Sequence, residues 1–118
     1  MNRMRNIGIA SAAALLAASA TALAHHGWTG YEQEIQKVSG TIEQPSYMNP
    51  HGSVRLKTAD KTWTVVLAPP TRMEARGLTR EMLRAGATAT AGGYQHRTDT
   101  GEMRAERITI DGKTVELR

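Results

Sequence analysis

Cysteine and phenylalanine are both absent from the 118 residues. Without cysteine, the protein has no disulfide, no zinc–thiolate or iron–sulfur site, no cysteine nucleophile and no lipoprotein anchor. Aromatic side chains are scarce as well, since two tryptophans and three tyrosines are all that the chain contains. A chain of this length and composition forms one small domain with a modest core.

Long apolar runs are lacking too, apart from one at the amino terminus. Residues 1–24 resemble a secretory signal peptide, with two arginines before an apolar run over residues 7–18 and the small-x-small pattern Ala22-Leu23-Ala24 at its end. That run is too short for a bilayer span of about 20 residues. We therefore expect cleavage after Ala24 and a soluble periplasmic protein without membrane insertion.

The net charge is also small. The chain has 15 basic and 11 acidic side chains, and Arg3 and Arg5 lie in the signal, so 13 against 11 leaves the mature part at +2. The electrostatic field of so small a net charge gives little support to nucleic acid or an anionic membrane as a partner. The sequence contains no G-x-S-x-G or H-E-x-x-H motif and no recognisable pair of acid and base carboxylates. We therefore expect a protein that is not an enzyme.

Strand patterns dominate the mature chain. Alternating polar and apolar residues predict three strands, then a short helical segment at 71–83, then two or three further strands. This order is that of an OB-like Greek-key barrel, with a generic small β-sandwich as the alternative. We predict an N-terminal arm at 25–35 and a single all-β, OB-like barrel of five or six strands at 36–118.

Three local features refine this fold prediction. Gly40 lies inside the first strand, predicted at 35–44, and indicates a bulge or a sharp bend there. Asp111-Gly112 predicts a tight hairpin. The predicted core consists of Ile42, Val54, Leu56, Trp63, Val65, Leu83, Ile108 and Ile110.

Histidines supply the leading functional hypothesis. After cleavage, His25 carries both a free α-amine and an imidazole, which together can chelate a metal, and His26 adds a second ring. Nitrogen-rich sites favour Cu(II) among the divalent first-row ions. His51 in the Asn49-Pro50-His51-Gly52 turn completes the predicted site, and His96 is a further candidate because its loop flanks the same face of an OB barrel. Met48 is the soft neighbour that would suit Cu(I).

These residues predict a periplasmic metal-binding protein, with copper first, that sequesters or delivers the ion. The alternative is a non-enzymatic OB-like binding module for a peptide, a glycan or a small apolar molecule, or for another periplasmic protein. In that case Tyr47, Trp63 and Tyr94 would supply the contact surface.

Several short segments resemble one family of small exported bacterial proteins, the domain of unknown function 6152. They are the Ala-His-His start of the mature chain, Asn49-Pro50-His51, Arg76-Gly77-Leu78-Thr79, and Gly86 followed by Gly93-Tyr94. The resemblance covers nearly all of the mature chain. It implies export and a compact β domain, and it carries no activity over to this protein.

Overall fold

Six strands and one short helix make up the part of the chain that this computed structural model describes, residues 28–118. In chain order they are β1 (Tyr31–Ser46), β2 (Ser53–Lys57), β3 (Thr62–Val66), α1 (Pro70–Ala75), β4 (Thr88–His96), β5 (Glu102–Ile110) and β6 (Lys113–Glu116). No helix within these residues has the length and apolarity needed to cross a membrane.

The strands form one sheet in the order β3-β2-β1-β4-β5-β6 with antiparallel neighbours. A parallel pairing between β3 and β5, with Val65 opposite Met103, joins the two ends. Five strands thus close a ring, β1-β2-β3-β5-β4, and β6 lies outside it against β5. The predicted all-β, OB-like architecture, with its helical segment between the third and fourth strands, is confirmed.

Aliphatic side chains fill the interior of this ring. All eight predicted core residues are buried, and none exposes more than 5% of its surface. Met73 on α1, Leu78 and Met103 complete the core and are fully buried. The Asp111-Gly112 hairpin is also confirmed, since both residues have the positive φ angles that a tight two-residue turn requires.

The first strand begins earlier than predicted, at Tyr31 rather than Ile35. Tyr31 pairs with His96 of β4, and the backbone N–H of Arg97 donates to the carbonyl of Gly30 at 2.8 Å. Residues 31–35, which the sequence assigned to an arm, therefore belong to the sheet. Their side chains are mostly exposed on both faces, so no alternating pattern indicated the strand.

Gly40 has a different role from the predicted bulge or bend. Its pairing with Ala89 of β4 is regular, and the irregularities in β1 lie elsewhere, between Tyr31 and Ile35 and between Ile42 and Gln44. A Cβ atom on Gly40 would overlap the backbone carbonyl of Lys57, where β2 approaches β1. Glycine is required here because two backbones meet.

The helical segment is shorter than the predicted 71–83. α1 ends at Ala75, and Gly77 follows with a φ of 87°. Beyond it the chain forms only turns, with the Leu83 N–H donating to the Arg80 carbonyl at 3.2 Å.

Candidate ligand-binding site

A cavity of about 200 Å³ lies where β1 begins, and it combines aromatic rings with guanidinium groups. The sheet positions its walls, because Tyr31 lies opposite His96 and Ile35 lies opposite Tyr94 in the β1–β4 ladder. The lining residues are Trp28, Tyr31, Glu32, Gln33, Tyr94, Arg97 and Arg118.

Trp28 is held in place by rings and cations. A turn, in which the Tyr31 N–H donates to the Trp28 carbonyl at 3.2 Å, brings the indole back over the sheet. The Trp28 ring lies edge-on to Tyr94, with centroids 5.6 Å apart, and the Arg104 and Arg118 guanidinium carbons lie 3.9 and 4.9 Å from its centroid. Such cation–π contacts contribute roughly 0.5–1 kcal/mol each at exposed sites. The start of the described chain is therefore anchored at the cavity.

Both tyrosine hydroxyls at the cavity donate to carboxylates. Tyr31 donates to Glu102 Oε2 at 2.6 Å, and Tyr94 donates to Glu106 Oε2 at 3.1 Å. Burial, and next the hydrogen bond to Glu102, raises the pKa of Tyr31 to about 12. Burial and the bond to Glu106 also raise the pKa of Tyr94. Both hydroxyls therefore stay protonated at neutral pH and fix the orientation of their rings.

Arg97 is the cation that is best placed to meet a ligand. Its Nε donates to the Tyr31 carbonyl at 2.9 Å, which fixes the guanidinium at the cavity wall. No other hydrogen bond within residues 28–118 uses this guanidinium, so its Nη groups remain available. The Arg118 guanidinium instead donates to Glu106 Oε1 at 3.3 Å.

His96 lies beside this cavity in an arrangement that opposes metal binding. Its Nδ1 accepts hydrogen bonds from the backbone N–H groups of Thr98 and Asp99, at 3.2 and 3.0 Å. Nδ1 is therefore unprotonated, and the proton of a neutral ring sits on Nε2. A metal-bound histidine has the opposite arrangement, in which the second ring nitrogen donates. His96 therefore serves to hold the β4–β5 loop.

His51 and Met48 are exposed in the loop between β1 and β2, and 65% of the Met48 surface is accessible. This loop follows the last residue of β1, whereas His96 pairs with the first, so the two predicted histidines lie at opposite ends of that strand. His25 and His26 lie outside the described residues. Within residues 28–118, no three or more histidine or acidic side chains form a group that could hold a metal ion.

For the alternative binding module, the prediction of an aromatic contact surface is wrong for two of the three residues named. Tyr47 and Trp63 are buried, at 7% and 5% exposure. The Tyr47 hydroxyl donates to the Leu78 carbonyl at 2.7 Å, so its polar atom is used within the core. Only Tyr94 reaches the cavity, where Trp28 and Tyr31 replace the other two.

Comparison with known proteins places the chain in a family. The model of a family of unknown function, DUF6152, matches residues 12–104. The chain belongs to this family. No curated protein matches the DUF6152 chain.

The solved structures that are similar to this chain include two of TiaS. One is a complex of TiaS with an isoleucine tRNA and ATP, with a TM-score of 0.51 at 18% identity over 72% of this chain and 19% of that chain. The other is the ZRD-deleted mutant of TiaS in complex with agmatine, with a TM-score of 0.51 at 19% identity over 72% of this chain and 24% of that chain. The DUF6152 chain thus spans a fifth to a quarter of their length, and the likeness shows the fold alone.

The segments that carried the family resemblance have separate roles in the DUF6152 fold. Leu78 is fully buried, and Arg76 donates to the carbonyls of Glu116 and Arg118 at 3.0 Å, which ties the segment after α1 to the end of the chain. Gly93 and Tyr94 lead β4 into the cavity. Of these segments, the one with Gly93 and Tyr94 therefore contributes a lining residue, Tyr94, to the cavity.

Proposed function

We propose that this DUF6152 protein is an exported, non-enzymatic binding module that holds a small planar carboxylate in the cavity at the start of β1. One observation carries the proposal. Three aromatic rings, those of Trp28, Tyr31 and Tyr94, surround a space beside the Arg97 guanidinium, whose orientation the Tyr31 carbonyl fixes. Aromatic walls favour a flat apolar body, and a guanidinium fork matches the geometry of a carboxylate.

The size of the cavity limits the ligand. Its volume of about 200 Å³ is below the roughly 300–1,000 Å³ of sites for drug-sized molecules. A single ring bearing a carboxylate fits this space, whereas an oligosaccharide or a folded partner would contact only its rim. Glu32, which also lines the cavity, disfavours a second negative charge on the ligand.

The chemistry of the lining supports binding rather than catalysis. The two tyrosine hydroxyls remain protonated and donate to Glu102 and Glu106, and the His96 ring accepts from the backbone. None of these groups is available as a base for a bound molecule. Export to the periplasm is proposed from the signal-like residues 1–24.

Benzoate is expected to bind the purified protein at least about tenfold more tightly than benzyl alcohol, which has the same ring without a charge. Isothermal titration measures both affinities. Arg97→Gln should remove this preference, because it removes the cation that meets the carboxylate. Arg55→Gln, a change of an exposed arginine on β2, is the matched control and should leave the preference intact. Equal binding of the two probes by the unaltered protein would contradict the proposal.

We propose copper binding at the mature amino terminus as a second function. The observation that favours it is the anchoring of Trp28, because His25 lies only three residues earlier and an extended chain of that length spans about 11 Å at most. The α-amine, the His25 ring and the His26 ring are the donors of this proposed site. The loop that carries His51 starts from the other end of β1.

Replacing His25 and His26 together with alanine is expected to weaken Cu(II) binding by about 100-fold or more, because two of three nitrogen donors are lost. Titration calorimetry measures this on protein released from a fusion so that it starts at residue 25. The matched control replaces His51 and His96 together with alanine and should change the affinity less than about threefold. A larger loss in the control than in the test variant would show that the loop histidines are the ligands.

A further inference from the structure

The loop between β4 and β5 closes on the ring of His96, the last residue of β4. The His96 Nδ1 accepts hydrogen bonds from the backbone N–H groups of Thr98 and Asp99, at 3.2 and 3.0 Å, and the Thr98 hydroxyl oxygen lies 3.3 Å from the same nitrogen. A neutral imidazole offers an acceptor here, whereas an imidazolium carries N–H on both ring nitrogens and offers none. This closed loop therefore requires His96 to be neutral.

Arg97, the cation at the wall of the cavity, lies within the turn that His96 closes. It follows His96 directly and precedes the two N–H groups that the ring accepts. Its own N–H donates to the Gly30 carbonyl at 2.8 Å, and its Nε donates to the Tyr31 carbonyl at 2.9 Å. The His96 ring packs against both of these residues, since a Cβ on Gly30 would lie 3.4 Å from His96 Nε2 and the Tyr31 and His96 ring centroids are 5.1 Å apart. The ring thus joins the loop to the backbone that holds Arg97.

The carboxylates around His96 have donors of their own. The Tyr31 hydroxyl, on β1, donates to the Glu102 carboxylate at the start of β5 at 2.6 Å, and in the loop the Asp99 carboxylate accepts a backbone N–H at 3.0 Å. Arg97, next in the chain, is a cation and cannot accept a proton. A protonated His96 would have to rearrange the turn to reach either carboxylate, so a charged ring and the closed loop exclude each other.

We propose that His96 positions Arg97 for the carboxylate of the ligand, and that protonation of the His96 ring opens the turn and releases the ligand. This role rests on the proposed function, since the ligand is the planar carboxylate of the cavity at the start of β1. Protonation replaces the Nδ1 acceptor with a donor that faces two other donors. Because imidazole groups titrate near 6.5, the ligand is held at about pH 7.5 and is released as the pH falls to about 5.

The first test compares benzoate binding at about pH 7.5 and about pH 5 by titration calorimetry. The unaltered protein should lose at least about tenfold in affinity over this range, because two hydrogen bonds to Nδ1 are given up. In His96→Asn the amide oxygen takes the place of Nδ1 and does not titrate, so this variant should keep its affinity within about threefold at both pH values. His51→Asn, which changes a histidine in the exposed β1–β2 loop, is the matched control and should retain the full loss. The probe and the other titrating groups are the same in the proteins compared.

The second test follows the loop itself, with no ligand present. NMR relaxation of the Thr98 and Asp99 amides should give order parameters near the value of about 0.85 for rigid backbone at about pH 7.5, and below about 0.6 at about pH 5. His96→Asn should keep both amides rigid at the lower pH, because its amide oxygen still accepts from them. Circular dichroism at both pH values confirms that the rest of the fold is retained.

The outcomes separate this role of His96 from the proposed function. Benzoate affinity that is constant in the unaltered protein, or that falls equally in His96→Asn, would overturn the role of His96 and leave the proposed function intact. A loop that stays rigid at about pH 5 in the unaltered protein would overturn that role even if His96→Asn failed to fold. Absence of benzoate binding at about pH 7.5 would overturn the proposed function and, with it, the release of a ligand by acid.

Discussion

Gly40→Ala is expected to lower the free energy of unfolding by about 3 kcal/mol, the upper end of the range for overpacked interiors. The added Cβ would overlap the backbone carbonyl of Lys57 rather than a flexible side chain. Relief therefore requires β1 and β2 to separate, which weakens the pairing that begins at Thr41. Urea denaturation followed by circular dichroism measures the change.

Gly101→Ala is the matched control for this substitution. A Cβ there meets only the Asp99 carboxylate oxygen at 3.5 Å, an ordinary contact, and the residue is not among those with positive φ. Replacement of a glycine at such a position changes stability by less than about 1 kcal/mol and can increase it. If Gly40→Ala unfolded with the same midpoint as this control, the close approach of β2 to Gly40 would be disproved.

The strands inside the ring could be predicted because one face of each is buried. Val54 and Leu56 alternate with exposed Arg55 and Lys57, and the structure buries the predicted pair. The start of β1 could not be predicted in this way. Glu32, Gln33 and Glu34 are all exposed, so no alternation marks them. They belong to the strand because the residues on either side of them, Tyr31 and Ile35, pair with β4.

The cavity was not predictable from spacing, because sheet register assembles it. Trp28, Tyr94 and Arg118 are far apart in the chain and meet only because β4 lies beside β1 and the chain end returns to Trp28. Tyr47 and Trp63 illustrate the opposite error. An aromatic residue in a strand or loop can face either side, and here a hydrogen bond to the Leu78 carbonyl keeps Tyr47 inside.

Methionine poses a related problem, which bears on the choice between Cu(I) and Cu(II). A Cu(I) site built on thioethers would use Met48, Met73 and Met103. Met73 and Met103 are fully buried, so within residues 28–118 Met48 is the one of these three whose sulfur solvent can reach. A single exposed thioether is a weak site. The amino-terminal nitrogens are therefore the stronger basis for the copper proposal. Because these nitrogens can take up protons and a thioether cannot, the pH dependence of copper binding distinguishes the two kinds of site.

Cu(II) affinity is expected to fall by about 10⁴-fold or more between pH 8 and pH 5, since imidazole titrates near 6.5 and an α-amine near 7.7–8.0. Each donor must be unprotonated to bind, so protons displace the metal as the pH drops, and more than one proton is taken up for each ion released. Competition titrations with a chelator of known affinity at the two pH values measure the ratio. Thioethers have no proton to gain in this range, so Cu(I) bound at Met48 should be nearly independent of pH.

Two variants separate the sources of this pH dependence. Protein in which His25 and His26 are both alanine should lose most of the pH-dependent Cu(II) affinity, because only the amine remains of the three donors. Met48→Leu should preserve the full dependence while it removes any Cu(I) binding by the loop. Cu(II) affinity that is the same at pH 8 and pH 5 would exclude the amine and imidazoles as ligands. Binding of neither ion would leave the aromatic cavity at the start of β1 as the functional site, because that cavity requires no metal.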